Sequence, residues 1–174
     1  MTVTIDGSAG VTTNSGAVYN GLITGTAVTL STQTSVDFTG IPSWVKRVTV
    51  MVSGLSESGT SGIMVQVGAT TFTTSGYLGA VAEIRATPDL TNFTTGFGLS
   101  GTPISTNIHY GIMTISNITG NTWVYSFTGG ASDNAYAYAG GGRVALSGTL
   151  DRVRLTTVNG TDTLTAGSVN IMYE

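Results

Sequence analysis

A chain of 174 residues and 17.8 kDa holds one domain with room for its own core, and 40% apolar residues at a net charge of −3 exclude a disordered polymer. Six Lys and Arg against nine Asp and Glu, with an isoelectric point near 4.9, supply no basic surface for a phosphate backbone, so nucleic acid is not an expected partner. Cysteine is absent, which removes disulfides, thiolate metal sites and cysteine nucleophiles together.

Charged residues make up only 9% of the chain, and Thr, Ser, Gly and Asn stand in their place. Those types suit pleated strands and tight turns. Residues 1–25 are rich in Gly, Thr and Asn and read as an extended arm or small β-tail that anchors to a neighbour, or as a free chain end. The opening MTVTIDGSAG has no basic n-region and no apolar h-region, so no signal peptide is expected. No apolar run approaches the ~20 residues that span a bilayer, so membrane insertion is not expected. Residues 26–174 read as a single β domain.

Along that domain, Phe38, Ile41, Pro42 and Trp44 mark a corner between strands, where Pro42 ends pairing and Trp44 can cap an open end. In residues 45–53, Val48, Val50 and Val52 alternate with Arg47, Thr49, Met51 and Ser53. Residues 108–115 set Ile108, Tyr110 and Ile112 against His109, Met113 and Ile115. Thr119-Gly120-Asn121 then punctuates the chain, and Trp123, Tyr125 and Phe127 alternate with Thr122, Val124 and Ser126. Residues 129–142, GGASDNAYAYAGGG, predict a mobile surface loop. Asn159-Gly160 predicts a type I′ hairpin, and Val169, Ile171 and Tyr173 alternate with Asn170, Met172 and Glu174. Helical periodicity is nearly missing. Short alternating runs with this punctuation predict an all-β fold, an antiparallel sandwich or barrel.

Two segments carry a family resemblance. VDFTGIPSWVKRVTVMVSGLSESGTSGIMVQVG at 36–68 and LSGTLDRVRLTTVNGTDTLTAGSVNIMYE at 146–174 resemble a domain found at the C-terminal ends of phage tail fibres and other virion proteins of tailed bacteriophages. TISNITGNTWVYSF at 114–127 also fits it, and VTIDGSAGVTT near the start is similar to the short segment preceding that domain in longer fibres. The resemblance implies a jelly-roll-like β-sandwich assembled as a homotrimer, in a virion built in the host cytoplasm. It implies a fibre tip or head fibre touching a glycan or protein of the bacterial surface, or a decoration protein clamping the capsid. The N-terminal arm would then join other virion proteins.

Chemistry is sparse. GFGLSG at 96–101 matches GxGxxG, but Pro103 and Thr/Ser-rich sequence follow where a dinucleotide site needs a helix, so no cofactor is expected. His109 is the only histidine, too few for a histidine metal cluster, and no GxSxG elbow accompanies it. A glycosidase or depolymerase needs two carboxylates facing one cleft; Glu57, Glu83, Asp89 and Asp133 fall in candidate loops, and their sequence spacing does not bring them together. Catalysis is therefore not expected. Lys46-Arg47 and Asp151-Arg152-Val153-Arg154 are the densest charge clusters, and Asp151 can pair with either. Aromatic side chains in loops bind sugar faces and protein hot spots at low entropic cost. Phe93 and Phe97 fit a core equally well, which leaves Tyr77, Asp133, Tyr136 and Tyr138 as the candidate recognition surface.

Overall fold

The alternating runs fold into strands, and all strand pairings among the described residues are antiparallel. The computed structural model describes residues 3–6, 10–13, 18–19, 21–133 and 135–174, those before residue 21 as backbone alone. Strands β1 (Val3–Asp6), β2 (Gly10–Thr13) and β3 (Val18–Tyr19) form a three-stranded sheet; the rest of the expected arm up to residue 20 lies outside the described residues. The large sheet runs in the order β11 (Asp89–Phe93), β10 (Leu78–Ile84), β15 (Tyr136–Ala145), β14 (Thr122–Ala131), β13 (His109–Thr119), β7 (Arg47–Glu57), β17 (Leu164–Tyr173) and β4 (Ile23–Thr24). Strand β5 (Val28–Thr29) also pairs with β17. The small sheet runs β12 (Phe97–Ser100), β8 (Ile63–Ala69), β16 (Arg152–Thr157) and β6 (Ser35–Thr39), with β9 (Thr71–Phe72) on β8.

The two sheets pack as an antiparallel sandwich because each lays one apolar face on the other. Val48, Val50 and Val52, Met113 and Ile115, Trp123, Tyr125 and Phe127, and Val169 and Ile171 are buried from the large sheet, as their spacing predicts. Val65, Val67, Phe97, Val153 and Leu155 join them from the small sheet. The Phe97 ring stacks on Tyr125 with centroids 4.5 Å apart and meets the edge of Tyr77 at 5.0 Å. Each fully buried side chain of this size contributes roughly 1.5–3 kcal/mol. GFGLSG is thus a buried strand, β12, rather than a turn before a helix.

One bulge changes what the core receives. Gly54 has φ +69 and faces Gly167 with φ +91, and pairing slips at β13 beside β7 and at β17 across Ala166. A Cβ on Gly167 would sit 2.3 Å from the Gly54 carbonyl carbon, so the two backbones close only over glycine. An extra residue reverses the faces of everything beyond it. Inward positions on β7 therefore pass from Val48, Val50 and Val52 to Leu55 and Glu57, which are both buried.

Two expectations are corrected. Residues 129–142 are not a mobile loop: they end β14, turn, and form most of β15, paired with β14 from Ala131↔Tyr136 to Thr122↔Ala145. The glycines there make room for rings. A Cβ on Gly129 would lie 2.5 Å from the Phe127 ring, and one on Gly142 would lie 3.0 Å from Tyr125. Asn159-Gly160 does not close a hairpin, because β16 and β17 belong to different sheets. Only Gly160 of the pair has positive φ (+68), and the Asn159 Oδ1 accepts from the Thr161 and Asp162 amides to shape an inter-sheet link. The Thr119–Thr122 connection is the true tight hairpin, with positive φ at Gly120. Of the two clusters open to it, Asp151 takes its own neighbour Arg152 at 2.7 Å, with the Thr70 amide at 3.1 Å, while Arg47 pairs with Glu174 and Arg154 with Asp37. Trp44 stays half exposed and leans on Tyr173 at 6.1 Å between centroids.

Candidate functional site

At one flank of the sandwich, three connections gather: the β10–β11 turn at 85–88, the 101–108 segment, and the β14–β15 turn. Glu83 anchors them. Its side chain is buried, and its Oε1 accepts from Ser100 Oγ at 2.8 Å and from the Gly101 and Thr102 amides at 2.8 and 3.1 Å. Thr102 Oγ1 donates to Oε2 at 3.1 Å. Burial alone would push this carboxyl upward, but the donors outweigh it and hold the group below its ordinary pKa.

Arg85 carries the cluster to the surface. Its guanidinium lies 3.6 Å from Glu83 and 3.2 Å from Asp89, donates to the Thr87 carbonyl at 3.1 Å, and sits 5.2 Å over the Tyr136 ring. An arginine stacked and forked in this way is rigid rather than trailing. Arg85, Ala86, Thr87, Pro88, Asp89 and Tyr136 line an open cleft of about 390 Å³. Beside it, Asp133 Oδ1 accepts from the Ile108 amide at 2.9 Å, which ties the β14–β15 turn to the 101–108 segment; Asn134 in that turn lies outside the described residues. The cleft offers a cation, a carboxylate, an aromatic face and backbone groups, a set that suits a polar or sugar-like surface.

The four expected recognition residues therefore divide. Asp133 is exposed and Tyr136 lies partly open on the cleft wall. Tyr77 and Tyr138 are corrected: both are fully buried. The Tyr77 hydroxyl accepts from the Val67 amide at 2.9 Å and donates to the Thr73 carbonyl at 3.1 Å, so it ties β8 to the segment just after β9 from inside. Tyr138, two residues along β15 from Tyr136, shares its inward face but lies deeper, packing on Phe127 at 6.4 Å and His109 at 5.6 Å, while Tyr136 at the start of the strand stays partly open. Burial pushes both phenols well above their ordinary pKa. Phe93 and Phe97 are core residues.

Behind the cleft runs a buried polar seam. Glu57, turned inward by the bulge, is fully buried with its Oε2 3.6 Å from His109 Nε2, too far for a hydrogen bond. Neither side chain opens to solvent, so this couple offers no substrate a way in. Of the four carboxylates expected in loops, Glu57 and Glu83 are buried strand residues instead. Asp89 opens β11 and meets Glu83 through Arg85 and Thr102 as part of an ion-pair knot, not as a free second carboxylate. Among the described residues no three His, Cys, Asp or Glu side chains are placed to hold a metal. Sequence reasoning passed over Arg85 and Thr102; the signal was there in Glu83, Arg85 and Asp89 flanking a Thr-Pro turn. Compared with known proteins, the chain matches no family model and no curated protein.

Proposed function

We propose that this chain is a structural protein of a tailed-bacteriophage virion, displayed as a homotrimeric fibre-tip or head-fibre module that touches the bacterial surface through the Arg85–Tyr136 flank. It acts by binding, and its N-terminal segment joins it to other virion proteins. The observation that carries the reading is spatial. The two segments that resemble phage fibre domains, 36–68 and 146–174, form β6, β7, β8, β16 and β17. These strands are neighbours: β16 lies between β8 and β6, and β17 lies beside β7. The resemblance thus falls on one coherent half of the sandwich. The other half, built from β10, β11, β12 and the β14–β15 turn, carries the cleft. A constant frame holding a separate contact flank is the division of labour a surface-recognition module needs.

The test is to place the protein in intact particles by antibody labelling and to follow adsorption of particles carrying Thr87→Arg or Tyr136→Ala. Both changes alter the cleft wall. Labels at fibre ends and an adsorption loss of about tenfold, the equivalent of one good contact of ~1.4 kcal/mol, are expected. Labels spread over the head shell with normal adsorption would replace this reading by capsid decoration. Release of reducing sugar from host polysaccharide by the purified protein would replace it by a depolymerase.

A further inference from the structure

The large sheet has one face on the core and one face that nothing among the described residues covers. Across its outer face, register aligns Met51, Ile112, Thr128, Ala139, Ala82 and Leu90 in one row spanning six strands. A parallel row carries Tyr110 beside Ala137 and Ile84, and another carries Thr114, Ser126 and Ala80. Leu90 is 76% exposed, Ile84 58%, Ile112 55% and Tyr110 44%. These three rows hold no charged side chain; Arg47 and Arg143 stand together in the row at one end. Between Met51, Tyr110, Ile112 and Gly130 the face dips into a hollow of about 660 Å³.

We infer that this outer face is where copies of the chain meet. Six strands at ~4.8 Å spacing and the three uncharged rows ~7 Å apart give on the order of 600 Å² before side-chain relief, which approaches the ~800 Å² per partner of a stable interface. Soluble monomers rarely leave open so large a face so poor in charge and studded with exposed apolar side chains. A charged partner finds nothing to answer on three of the rows, whereas a second copy brings an equally uncharged face at equal concentration. Turned toward a three-fold axis, this one face meets both neighbouring copies, and the Ile112 ridge beside the Gly130 hollow gives it both knob and hole. This inference rests on the self-assembly in the proposed function and supplies its contact surface.

The full chain tests it, by mass in solution and by an introduced thiol. Because cysteine is absent, Thr128→Cys gives a single reporter on the outer face. Wild type should run as a multiple of 17.8 kDa. Ile112→Arg should fall to a single chain while keeping its β-sheet circular dichroism, and Thr128→Cys should form a covalent dimer with a short bis-thiol crosslinker. Val158→Arg, which changes an exposed apolar residue away from this face, should leave the mass unaltered. An oligomer that survives Ile112→Arg overturns this inference alone and leaves the assembly reading standing. Dissociation by Val158→Arg also overturns it. A wild-type monomer overturns both. In that case, if Thr128→Cys reacts with a bulky maleimide only after residues 1–20 are deleted, the chain's own N-terminal segment is the cover.

Discussion

A single carboxylate, Glu83, holds the recognition flank to the sandwich. Its folded pKa lies below the unfolded value, so its contribution to stability is present above about pH 4.5 and is lost as the pH falls through the folded pKa. Thermal melts across pH 3–7 should show the wild-type midpoint dropping on the acid side. Glu83→Gln should flatten part of that drop and cost about 1–3 kcal/mol at pH 7, because two backbone amides and two hydroxyls lose their charged acceptor. An unchanged acid limb in the variant would remove Glu83 from this role. At the same scale, sequence alone located the aromatic residues but not their faces. Tyr136 and Tyr138 are two apart on one strand and so share its inward face, with Tyr138 buried and Tyr136, where the strand begins, only partly so. Small neighbours point to exposure for both, whereas those glycines leave room for the rings of Phe127 and Tyr125 from the adjacent strand.

At the scale of strands, the paired glycines of β7 and β17 decide which residues reach the core. Gly167→Ala puts a Cβ 2.3 Å from the Gly54 carbonyl group and forces a side chain into positive φ. The cost should be on the order of 3 kcal/mol, a fall of roughly 6–12 °C in the midpoint for a domain of this size. Gly120→Ala, also at positive φ (+51) but with open space around its Cβ, should cost only about 1 kcal/mol. Equal losses in calorimetry would mean the bulge contact is not tight. Alternation was legible for β7, β13, β14 and β17 wherever one face meets the core and the other meets solvent. It failed past Gly54 because a bulge reverses parity without changing composition. It failed at β15 because a strand rich in glycine carries almost no hydrophobic pattern to read.

For the whole molecule, the all-β sandwich followed from punctuation and period, since nine-tenths of the chain is uncharged and helical spacing is missing. Strand order did not follow, and neither did the cleft, because both depend on pairings between distant parts of the chain. Asn159-Gly160 illustrates this: the dipeptide announces a turn, yet only the partners of β16 and β17 reveal that the turn crosses between sheets. The same distance explains why Glu57 and His109, 52 positions apart by their numbers, share an interior seam that no local motif signals.

The placement of β17 also sets an order of events during synthesis. It is made after every other strand, yet it sits between β7 and the short strands β4 and β5. Until residue 173 has cleared the ribosome, β7 keeps a bare edge and β4 and β5 have no partner in the large sheet, while β6, β8 and β16 can already assemble. Nascent chains stalled with a spacer after Thr157 should therefore stay sensitive to protease, and those stalled after Tyr173 should become resistant in a single step. Resistance already present at the earlier stall would show that the half-built sandwich stands without its closing strand. The interval before closure is when a neighbouring copy could pair with the open edge of β7, so crowded translation of this chain carries a risk of strand exchange that the finished fold has removed.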